Sequence, residues 1–564
     1  MTRGISKDER SEPGGVGGRP PQGAGMILRL GGLAVDGLSA VLLVTLAVVL
    51  VAVLVFAAGE RYGVRFYALM LLFAAAMAVT VTATDLLMLL MGWEVMGAMS
   101  YALIGYAWPD AGRVRSADVA FLTTRAADMG LYAAAGFALA GAHSLRLDAL
   151  AQADVPWRDL IAAGIVVSAL GKSAQLPFSF WLARAMAGPS PVSALLHSAT
   201  MVAAGAYLLM RVHPLLAATG WADTLVAWAG AVTALVLGAV ALAQQDLKQL
   251  LAASTCAQIG FMVLGAGAGS VGGATAHLVA HAAVKSLLFL CAGAWLTALG
   301  TERLDDLRGA ARRHRLVGAA FGVGALALAG VPPLSLWVTK DEVLRGLPAG
   351  LLAVALAASV LSAAYAAKAL FAVFRPAEGA ALGVPVLGQA PLVVLAFAAA
   401  VLGVLGLPAV ADAWRDMLGM PHEGGPDLWV LVLSGALAVL TAGAVGAARR
   451  IPAPGWAAEW LYLERAAGAV VVRPAFAAAR ALARFDDRVV DGAVRGAARG
   501  GRWAAGLAGR RVEIRVDGVT ALVARAARAL AGLARRPQTG QVHLYYAQAA
   551  VVLAVLVVVA VLAG

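Results

Sequence analysis

Long apolar runs separated by short polar connections fill the chain from residue 36 to residue 447 and return at its end. A helix needs about 20 mostly apolar residues to cross a bilayer. By this measure the pattern predicts about 14 membrane-spanning helices, near residues 36–58, 66–84, 86–107, 117–141, 158–182, 191–212, 221–243, 247–267, 272–298, 316–338, 347–374, 388–410, 428–447 and 545–563. The predicted fold is therefore an all-α polytopic membrane helix bundle.

Two of these predicted spans contain proline close to a lysine. The first reads GKSAQLPFSFWL, with Lys172 before Pro177, and the second reads GVPPLSLWVTKDE, with Pro332 and Pro333 before Lys340. Proline lacks a backbone N–H and clashes with the preceding turn, so both helices are expected to open within the membrane. Interrupted helices at corresponding places in two halves are typical of transporter sites. A plain proline kink is the alternative.

A different pattern fills residues 448–541, where arginine recurs every three or four positions among alanine, valine and leucine. This spacing lines the guanidinium groups along one side of a helix. We expect an amphipathic lateral helix, bent near Pro474 and near Gly500–Gly501, and anchored by a final span at 542–564. A disordered basic tail is the alternative.

The N-terminal residues 1–25 are polar and rich in glycine and proline, and they are expected to be disordered. Met26 opens the apolar sequence and is an alternative start of the protein. The antiporter-type bundle discussed below is accordingly assigned to residues 26–447.

Composition supports a membrane protein, because 61% of the residues are hydrophobic and only 13% are charged, against about a quarter in soluble domains. Of the formal net charge of +12, residues 449–541 contribute +10, from 17 arginines and 7 acidic residues. This favours a membrane surface or another subunit as the partner over nucleic acid. The two cysteines lie in apolar segments and indicate no disulfide framework, zinc site or iron–sulfur cluster.

Arginines also indicate the orientation in the membrane. They concentrate in connections that follow odd-numbered spans, and the arginine-rich stretch follows span 13. Positively charged loops face the cytoplasm. This side is therefore predicted to be cytoplasmic, together with the lateral helix, and both termini are predicted to lie outside.

Lysine is scarce, since 6 of the 44 basic residues are lysine and 38 are arginine. Five of the six lie in or beside apolar segments: Lys172, Lys248, Lys285, Lys340 and Lys368. A buried lysine can take up and release a proton, whereas arginine stays charged. The distribution favours proton or cation movement through the membrane. Lys368 is interpreted as structural, and for Lys248 an extension to the membrane interface is the alternative.

Histidines strengthen this interpretation. His277, His281 and Lys285 follow at intervals of four in one span, so they form a single polar stripe with successive members about 6 Å apart. Imidazole titrates near neutral pH and can relay protons. His197, in GPSPVSALLHSATM, is a further relay candidate. Core histidines satisfied by hydrogen bonds are the alternative, and a zinc site is weaker because Lys285 would repel the metal.

Glu94 stands alone in the apolar run MLLMGWEVMGAMSYALIGY. A carboxylate at membrane depth is costly and is a functional candidate by default. We expect Lys172 to compensate its charge. Asp128 is a tentative further member, because Arg125 three residues earlier offers it a local ion pair. Together the charged groups predict a polar axis that runs through the bundle parallel to the membrane.

Four motifs occur in a fixed order: GKSAQLPFSFWL, AMAGPSPVSALLHSATMVAAGAYLLMR, DLKQLLAASTCAQIGFM and HLVAHAAVKSLLFL. Over about residues 33–564 the chain closely resembles the proton-translocating antiporter-like subunits of complex I and the Mrp cation/proton antiporters. Its end, ARRPQTGQVHLYYAQAAVV after a basic amphipathic region, resembles the L-type subunits of bacterial NADH-quinone oxidoreductase. Those subunits carry a lateral helix along the membrane arm.

The resemblance implies that Glu94 pairs with Lys172. It also implies a proton route lined by His197, Lys248, His277, His281, Lys285 and Lys340. Two departures from the family are visible. The family usually has two more N-terminal spans, and its Trp-Leu-Pro-Asp is Trp-Leu-Ala-Arg at residues 181–184. Because the charge at Arg184 is reversed, this loop is not expected to keep its usual contacts.

On this basis we expect a proton-translocating membrane subunit of a bacterial NADH-quinone oxidoreductase, located in the plasma membrane. The sequence has no dinucleotide fingerprint or cysteine cluster. No cofactor is therefore expected in this chain, and NADH, FMN, iron–sulfur clusters and quinone are implied in partner subunits. The expected partners are other membrane-arm subunits, contacted partly through the lateral helix, and the lipid bilayer, but not nucleic acid.

Two alternatives stay open at this point. One is a cation/proton antiporter or a bicarbonate-uptake subunit of the same family, against which the long lateral segment argues. The other is a non-pumping structural paralogue, which the missing spans and Arg184 suggest.

Overall fold

The computed structural model describes residues 28–377, 383–420, 427–448 and 451–564. The predicted disordered tail, residues 1–25, lies outside these described residues. The chain divides into two compact units, with the boundary between Ala466 and Ala467. Most of the described residues are helical, which confirms the all-α prediction. A short antiparallel hairpin of β1 (Leu28–Leu30) and β2 (Leu33–Val35) precedes the first helix.

The first unit consists of helices of very different length. Before the first break they are α1 (Gly37–Gly59), α2 (Val64–Thr82), α3 (Leu86–Ile104), α4 (Ala111–Gly141) and α5 (Trp157–Lys172). The middle of the unit comprises α6 (Phe180–Ala185), α7 (Ser190–Ala194), α8 (Met201–Arg211), α9 (His213–Thr219), α10 (Ala222–Ala243), α11 (Leu247–Gly267) and α12 (Val271–Leu299). The remainder comprises α13 (Ala310–Arg313), α14 (Arg315–Ala329), α15 (Ser335–Leu344), α16 (Ala349–Phe374), α17 (Val386–Val401), α18 (Pro408–Leu418), α19 (Leu428–Ala447), α20 (Gly455–Ala458) and α21 (Leu463–Ala467).

Aspartates begin several of the long helices. The Asp36 carboxylate accepts the backbone N–H of Ser39 at 2.9 Å, and the Ser39 hydroxyl accepts the Asp36 N–H at 2.8 Å, which makes a capping box at α1. Asp85 and Asp246 start α3 and α11, and each accepts a backbone N–H three residues later, at 2.9 Å and 3.0 Å. These contacts satisfy N–H groups that a helix end leaves open.

Twelve helical stretches of the described residues are long and apolar enough to cross a membrane. Eleven coincide with predicted spans, and the twelfth is the long C-terminal helix. The other three predicted spans are also helical, but α4 carries several charges, and α5–α6 and α14–α15 are interrupted. Charge and interruption are therefore the reasons why these three lack a continuous apolar window.

Both predicted breaks are confirmed. Helix α5 ends at Lys172 and the chain is not helical again until α6, and α14 ends at Ala329 before α15 begins at Ser335. At the second break Gly330 has a φ of 77°, a left-handed conformation that suits glycine. A third irregularity was not predicted: Leu195–Thr200 forms a π-helical turn between α7 and α8.

Small residues allow α4 and α5 to pack backbone against backbone. A Cβ atom added at Gly130 would lie 2.5 Å from the carbonyl oxygen of Gly164, and one added at Gly164 would lie 2.3 Å from that of Gly130. Close helix approach through small residues is common in membrane proteins. The contact holds α4 against α5, which carry residues of the site described below.

The second unit is one long helical stretch followed by a final helix. It contains α22 (Arg473–Phe485), α23 (Asp491–Leu507), α24 (Ile514–Arg535) and α25 (Val542–Ala563), with π-helical turns at Gly468–Val472, Asp486–Val490 and Ala508–Glu513. The part from α22 to α24 is about 95 Å long at 1.5 Å per residue.

The chain stays helical at both places where a bend is predicted. Pro474, which lacks the N–H of a helical hydrogen bond, lies in the first turn of α22, directly after the π-helical turn Gly468–Val472, and Gly500–Gly501 lie inside α23. The irregularities are the three π-helical turns, each of which adds one residue to a turn without breaking the helix.

Substitution of Gly130 by alanine tests the packing of α4 on α5. We expect Gly130→Ala to lower the free energy of unfolding by about 1–3 kcal/mol, because the new methyl group meets a backbone carbonyl that cannot move alone. Gly136→Ala on the same helix is the matched control, since nothing lies within 4 Å of a Cβ atom there. Denaturant unfolding in detergent measures both, and equal stability of the two variants would contradict the packing.

Candidate functional site

A buried ion pair joins α4 and α5 at the first break. The Lys172 ammonium lies 2.9 Å from Asp128 Oδ2, and both side chains are almost fully buried. The other carboxylate oxygen accepts Trp93 Nε1–H at 2.6 Å and the Ser168 hydroxyl at 3.2 Å. The ammonium also lies 4.9 Å from the centre of the Trp93 ring. Asp128 therefore has partners for both oxygens, which is what a carboxylate away from water requires.

The predicted pair between Glu94 and Lys172 is wrong. Glu94 forms an ion pair with Arg125 on α4, and both side chains are partly exposed. The physical reason is helical geometry, because neighbours on a helix are rotated by about 100°. Trp93 takes the buried side of α3 that faces Asp128, so Glu94 points to a different side. The local Arg125–Asp128 pair is also absent among the ion pairs of the described residues, since Arg125 is engaged by Glu94.

His197 lies in the π-helical turn Leu195–Thr200 and is fully buried. Its Nε2 lies 3.3 Å from the Ser100 hydroxyl of α3, while its Nδ1 has no hydrogen-bond partner among the described residues. The ring stands edge-on to Trp181, with 6.2 Å between ring centres. Widened turns of this kind occur often at functional sites. His197 thus connects to the helix that carries Trp93.

Lys248 is buried rather than extended to the interface. Its ammonium lies 3.1 Å from the Glu302 carboxylate and donates to the backbone carbonyl of Gly188 at 3.2 Å. The lysine side chain is 4% exposed and the glutamate 24%. Glu302 was not singled out from the sequence. The pair therefore joins the start of α11 to the connection after α12, with its acidic member towards the surface.

The predicted stripe on α12 exists and faces α11. His277 Nδ1 lies 3.2 Å from the Thr339 hydroxyl, and Nε2 lies 3.2 Å from Gln258 Oε1. The rings of His277 and His281 stack with 6.4 Å between centres, and within the described part of the chain Nε2 of His281 has no hydrogen-bond partner. One turn further, Lys285 donates to the Ser254 hydroxyl and at 3.0 Å to the Leu251 carbonyl.

Gln258 is the centre of a network that sequence reasoning missed. Besides its contact with His277, its Nε2 donates to the Ser362 hydroxyl at 2.8 Å and to the Tyr365 hydroxyl at 2.7 Å. All of these side chains are fully buried. A lone glutamine in the apolar run AASTCAQIGFM is the sequence feature that indicates this network. Because glutamine is uncharged, it does not stand out among the charged residues of the predicted spans. The network joins α11, α12 and α16.

Lys340 lies on α15 directly after the second break. Its ammonium is 5.2 Å from the centre of the Phe261 ring on α11, a cation–π distance. The two acidic residues that follow have partners of their own: Asp341 accepts the Ser434 hydroxyl at 2.5 Å, and Glu342 pairs with Arg415 at 3.0 Å. The Lys340 charge is thus held against an aromatic face.

Helix α11 brings these groups onto one line. The residues that take part in the contacts above are spaced by three or four positions, which places them on one face of the helix: Lys248, Leu251, Ser254, Gln258 and Phe261. The line runs from Lys248 to Phe261, 13 steps of 1.5 Å or about 20 Å along the helix axis. Helix α11 is itself a candidate span, so the contacts follow the length of a span, a direction that the predicted axis parallel to the membrane does not include.

Two other predicted positions have simple outcomes. Lys368 donates to the carbonyls of Leu242 and Gln244 at 2.8 Å and 2.6 Å, so it caps the end of α10, as expected of a structural lysine. Arg184 has a partner after all, because its guanidinium makes two contacts of 2.7 Å with the Glu464 carboxylate. In the described part of the chain, no three His, Cys, Asp or Glu side chains form a group that could hold a metal ion.

Comparison with known proteins agrees with this arrangement. The family described as NADH:quinone oxidoreductase/Mrp antiporter, TM, matches residues 83–365. NADH-quinone oxidoreductase subunit L of Pseudomonas aeruginosa is 38% identical over 429 residues, which cover 72% of this chain and 69% of that protein. The family match contains both breaks and every lysine of the polar line.

Two solved structures resemble the fold. A chain of the Mrp complex from Dietzia sp. DQ12-45-1b has a TM-score of 0.64 at 29% identity, and the match covers 90% of this chain and 56% of that one. A chain of respiratory complex I from Thermus thermophilus has a TM-score of 0.59 at 28% identity, covering 70% of this chain and 89% of that one. This chain thus spans little more than half the length of the Mrp chain.

The two carboxylates near the first break differ in their predicted effect on stability. Asp128→Asn leaves the Lys172 charge buried without its counterion, so we expect a loss of about 3–5 kcal/mol of unfolding free energy. Glu94→Gln, the matched control, removes one member of a partly exposed pair, so a loss of about 0–1 kcal/mol is expected. Denaturant unfolding in detergent measures both. A larger loss for Glu94→Gln than for Asp128→Asn would contradict the Asp128–Lys172 pair and support a pair between Glu94 and Lys172.

Proposed function

Because the chain belongs to the family of antiporter-like membrane subunits of NADH:quinone oxidoreductases and Mrp antiporters, we propose that it translocates protons as a subunit of a redox-driven NADH-quinone oxidoreductase. The observation that carries the proposal is the line of buried lysines, histidines and hydroxyl or amide side chains along α11. Protons need closely spaced groups that can donate and accept. The contacts of Lys248, Lys285 and His277 are of that kind, and Lys340 lies against the Phe261 ring at the end of the same face.

The first step of the proposed mechanism lies at the first break. Lys172 and Asp128 compensate each other in an apolar site, and Trp93 and Ser168 orient the carboxylate. A change in the charge or position of Asp128 would leave the ammonium uncompensated, which is expensive away from water. A conformational change in a neighbouring subunit that disturbs α4 against α5 would therefore be converted into release or uptake of a proton at Lys172.

The following steps use groups with a free lone pair or an exchangeable proton. His197 contacts Ser100 through one ring nitrogen, and no described residue hydrogen-bonds to its other nitrogen. The same holds for Nε2 of His281, which lies between His277 and Lys285 on α12. An imidazole with one free nitrogen can accept a proton there and pass on the proton of the other nitrogen. The histidines are the proposed relays between the lysines.

Electron transfer is assigned to partner subunits, which would hold NADH, FMN, the iron–sulfur clusters and quinone. The chain would reside in a bacterial inner membrane with the arginine-rich loops in the cytoplasm, and residues 467–564 would contact other membrane-arm subunits. The long amphipathic helix and its arginine stripe support this assignment. The chain would contribute proton movement and no redox chemistry of its own.

A cation/proton antiporter is the second candidate, and one observation favours it. The Mrp match covers 90% of this chain, whereas residues 467–564 make up more than a tenth of it, so part of the C-terminal stretch must be included. The long segment therefore does not separate the two functions. Among the solved structures the Mrp chain and the complex I chain are similar to this one to the same degree, at 29% and 28% identity. The sequence relative named as subunit L, 38% identical over 72% of this chain, supports the redox-driven assignment.

Substitution of Lys340 tests the proposed function. In the assembled complex in liposomes, we expect Lys340→Met to lower the number of protons moved per NADH oxidised, because the last charged group of the line is lost. Lys368→Met is the control, since that lysine only caps a helix end. Simultaneous recording of NADH absorbance and internal pH measures the ratio, and an unchanged ratio for Lys340→Met would refute the role of Lys340.

The same liposomes separate the two candidates. A redox-driven pump acidifies the lumen on addition of NADH and does not respond to a sodium gradient. An antiporter would move protons when a sodium gradient is imposed without NADH, and that result would select the second candidate.

A further inference from the structure

A cavity of about 730 Å³ lies beside the Lys248–Glu302 pair, on the side predicted to be cytoplasmic. Glu302 and Asp246 line it, as do Met186 and Gln249. The Lys248 ammonium is 3.1 Å from Glu302, so one charged contact separates the cavity from the polar line along α11. Burial is the main cause that raises the pKa of Asp246, and a hydrogen bond from the Gln249 backbone opposes it. The cavity therefore ends on groups that can exchange protons.

The opposite wall of the cavity is formed by residues 455–466, which we call the capping segment. Its residues Trp460, Leu461 and Tyr462 have φ values of 50°, 62° and 54°. Three consecutive non-glycine residues in the left-handed region are strained, and such a conformation persists only where the surroundings hold it. The segment is thus held in a strained conformation where it lines the cavity.

Few contacts hold the capping segment in place. Trp460 is buried, and Gln244 Nε2 donates to the carbonyls of Ala457 and Ala458 at 3.1 Å and 3.4 Å. The bidentate Arg184–Glu464 contact is the only ion pair among the described residues that joins the capping segment to another part of the unit. Arg465 pairs within the segment, with Glu459. Arg184 lies in the last turn of α6, the short helix that follows the first break.

We propose that Arg184 and Glu464 form a latch that holds the capping segment over the cavity and controls proton access to the Lys248–Glu302 pair. The proposal rests on the proposed function only for the proton; the Arg184–Glu464 contact and the position of the segment along the cavity are properties of the structure. Both side chains are partly exposed, at 46% and 38%, so the latch can open in response to solvent or to a neighbouring subunit. A strained segment would then move away from the cavity.

The latch also explains the reversed charge at Arg184. An acid at this position would face Glu464 and repel it, whereas arginine matches the carboxylate with two parallel hydrogen bonds. The residues are 280 positions apart in the sequence. The reversal is therefore compensated within the chain and does not indicate a degenerate site.

Thiol labelling tests closure without any proton measurement. Ser116 lines the cavity and is buried, and the two native cysteines are buried. In the assembled complex in nanodiscs, Ser116→Cys reports access through its rate of reaction with a charged maleimide. We expect Arg184→Ala to raise this rate about fivefold, because the upper value for an exposed ion pair is about 1 kcal/mol, which corresponds to a factor of about five. The exchange Arg184→Glu with Glu464→Arg should return the rate towards its original value.

Arg113→Ala is the matched control, because Arg113 pairs with Asp110 and does not line the cavity. A second measurement needs no change at the latch: in the Ser116→Cys protein, labelling should quicken as salt rises from 0.01 M towards 1 M, where the screening length falls from about 30 Å to about 3 Å. Labelling that responds neither to salt nor to Arg184→Ala would overturn the latch.

The proton part of the proposal has its own readout. With the latch open, we expect Arg184→Ala liposomes to change the number of protons moved per NADH, while Arg113→Ala leaves it unchanged. Faster labelling with an unchanged ratio would overturn control of proton access. An unchanged ratio for Lys340→Met would instead refute the role of Lys340 in the proposed function and leave the labelling result standing.

Discussion

A charged side chain inside an apolar helix bundle must be compensated, and this requirement organises the first unit. A lysine at the bilayer centre costs about 2.5–3.5 kcal/mol. Lys172 is compensated by Asp128, Lys248 by Glu302, and Lys285 by a hydroxyl and a backbone carbonyl on α11. Each of these contacts allows a lysine, which can carry a proton, to remain buried. The same contacts that make burial tolerable therefore create the conditions for proton transfer.

The interrupted helices and α11 place the separate polar groups in one part of the unit. Each break has a lysine ammonium beside it: Lys172 ends α5, and Lys340, in the middle of α15, has its ammonium 3.6 Å from where a Cβ atom at Gly330 would lie. Helix α11 lies between them and presents one face that contacts Lys285, His277 and Lys340. Packing of rigid spans thus fixes the spacing of the groups, while the breaks and the π-helical turn at His197 leave room for movement.

Features that depend on residues close together in the sequence could be predicted. Contacts between side chains that are far apart in the sequence could not. Proline beside lysine predicted both breaks, and intervals of four predicted the stripe on α12. The partner of Lys172 was not predictable, because one step of rotation on α3 decides whether Trp93 or Glu94 faces Asp128. Gln258 is uncharged and was overlooked, and Glu464 lies 280 residues from Arg184. Such contacts depend on the packing of whole helices.

Direct observation of lysine protonation is the strongest test of the account. With only six lysines in the chain, solid-state NMR of a ¹⁵N-lysine-labelled subunit in the assembled complex can resolve each Nζ signal, assigned by single Lys→Met variants. Spectra of the resting complex and of the complex oxidising NADH are compared. We predict that the ratio of ammonium to neutral amine at Lys172, Lys285 or Lys340 differs between these two states, whereas the ratio at Lys368 does not. Identical spectra at all of these lysines in both states would contradict it.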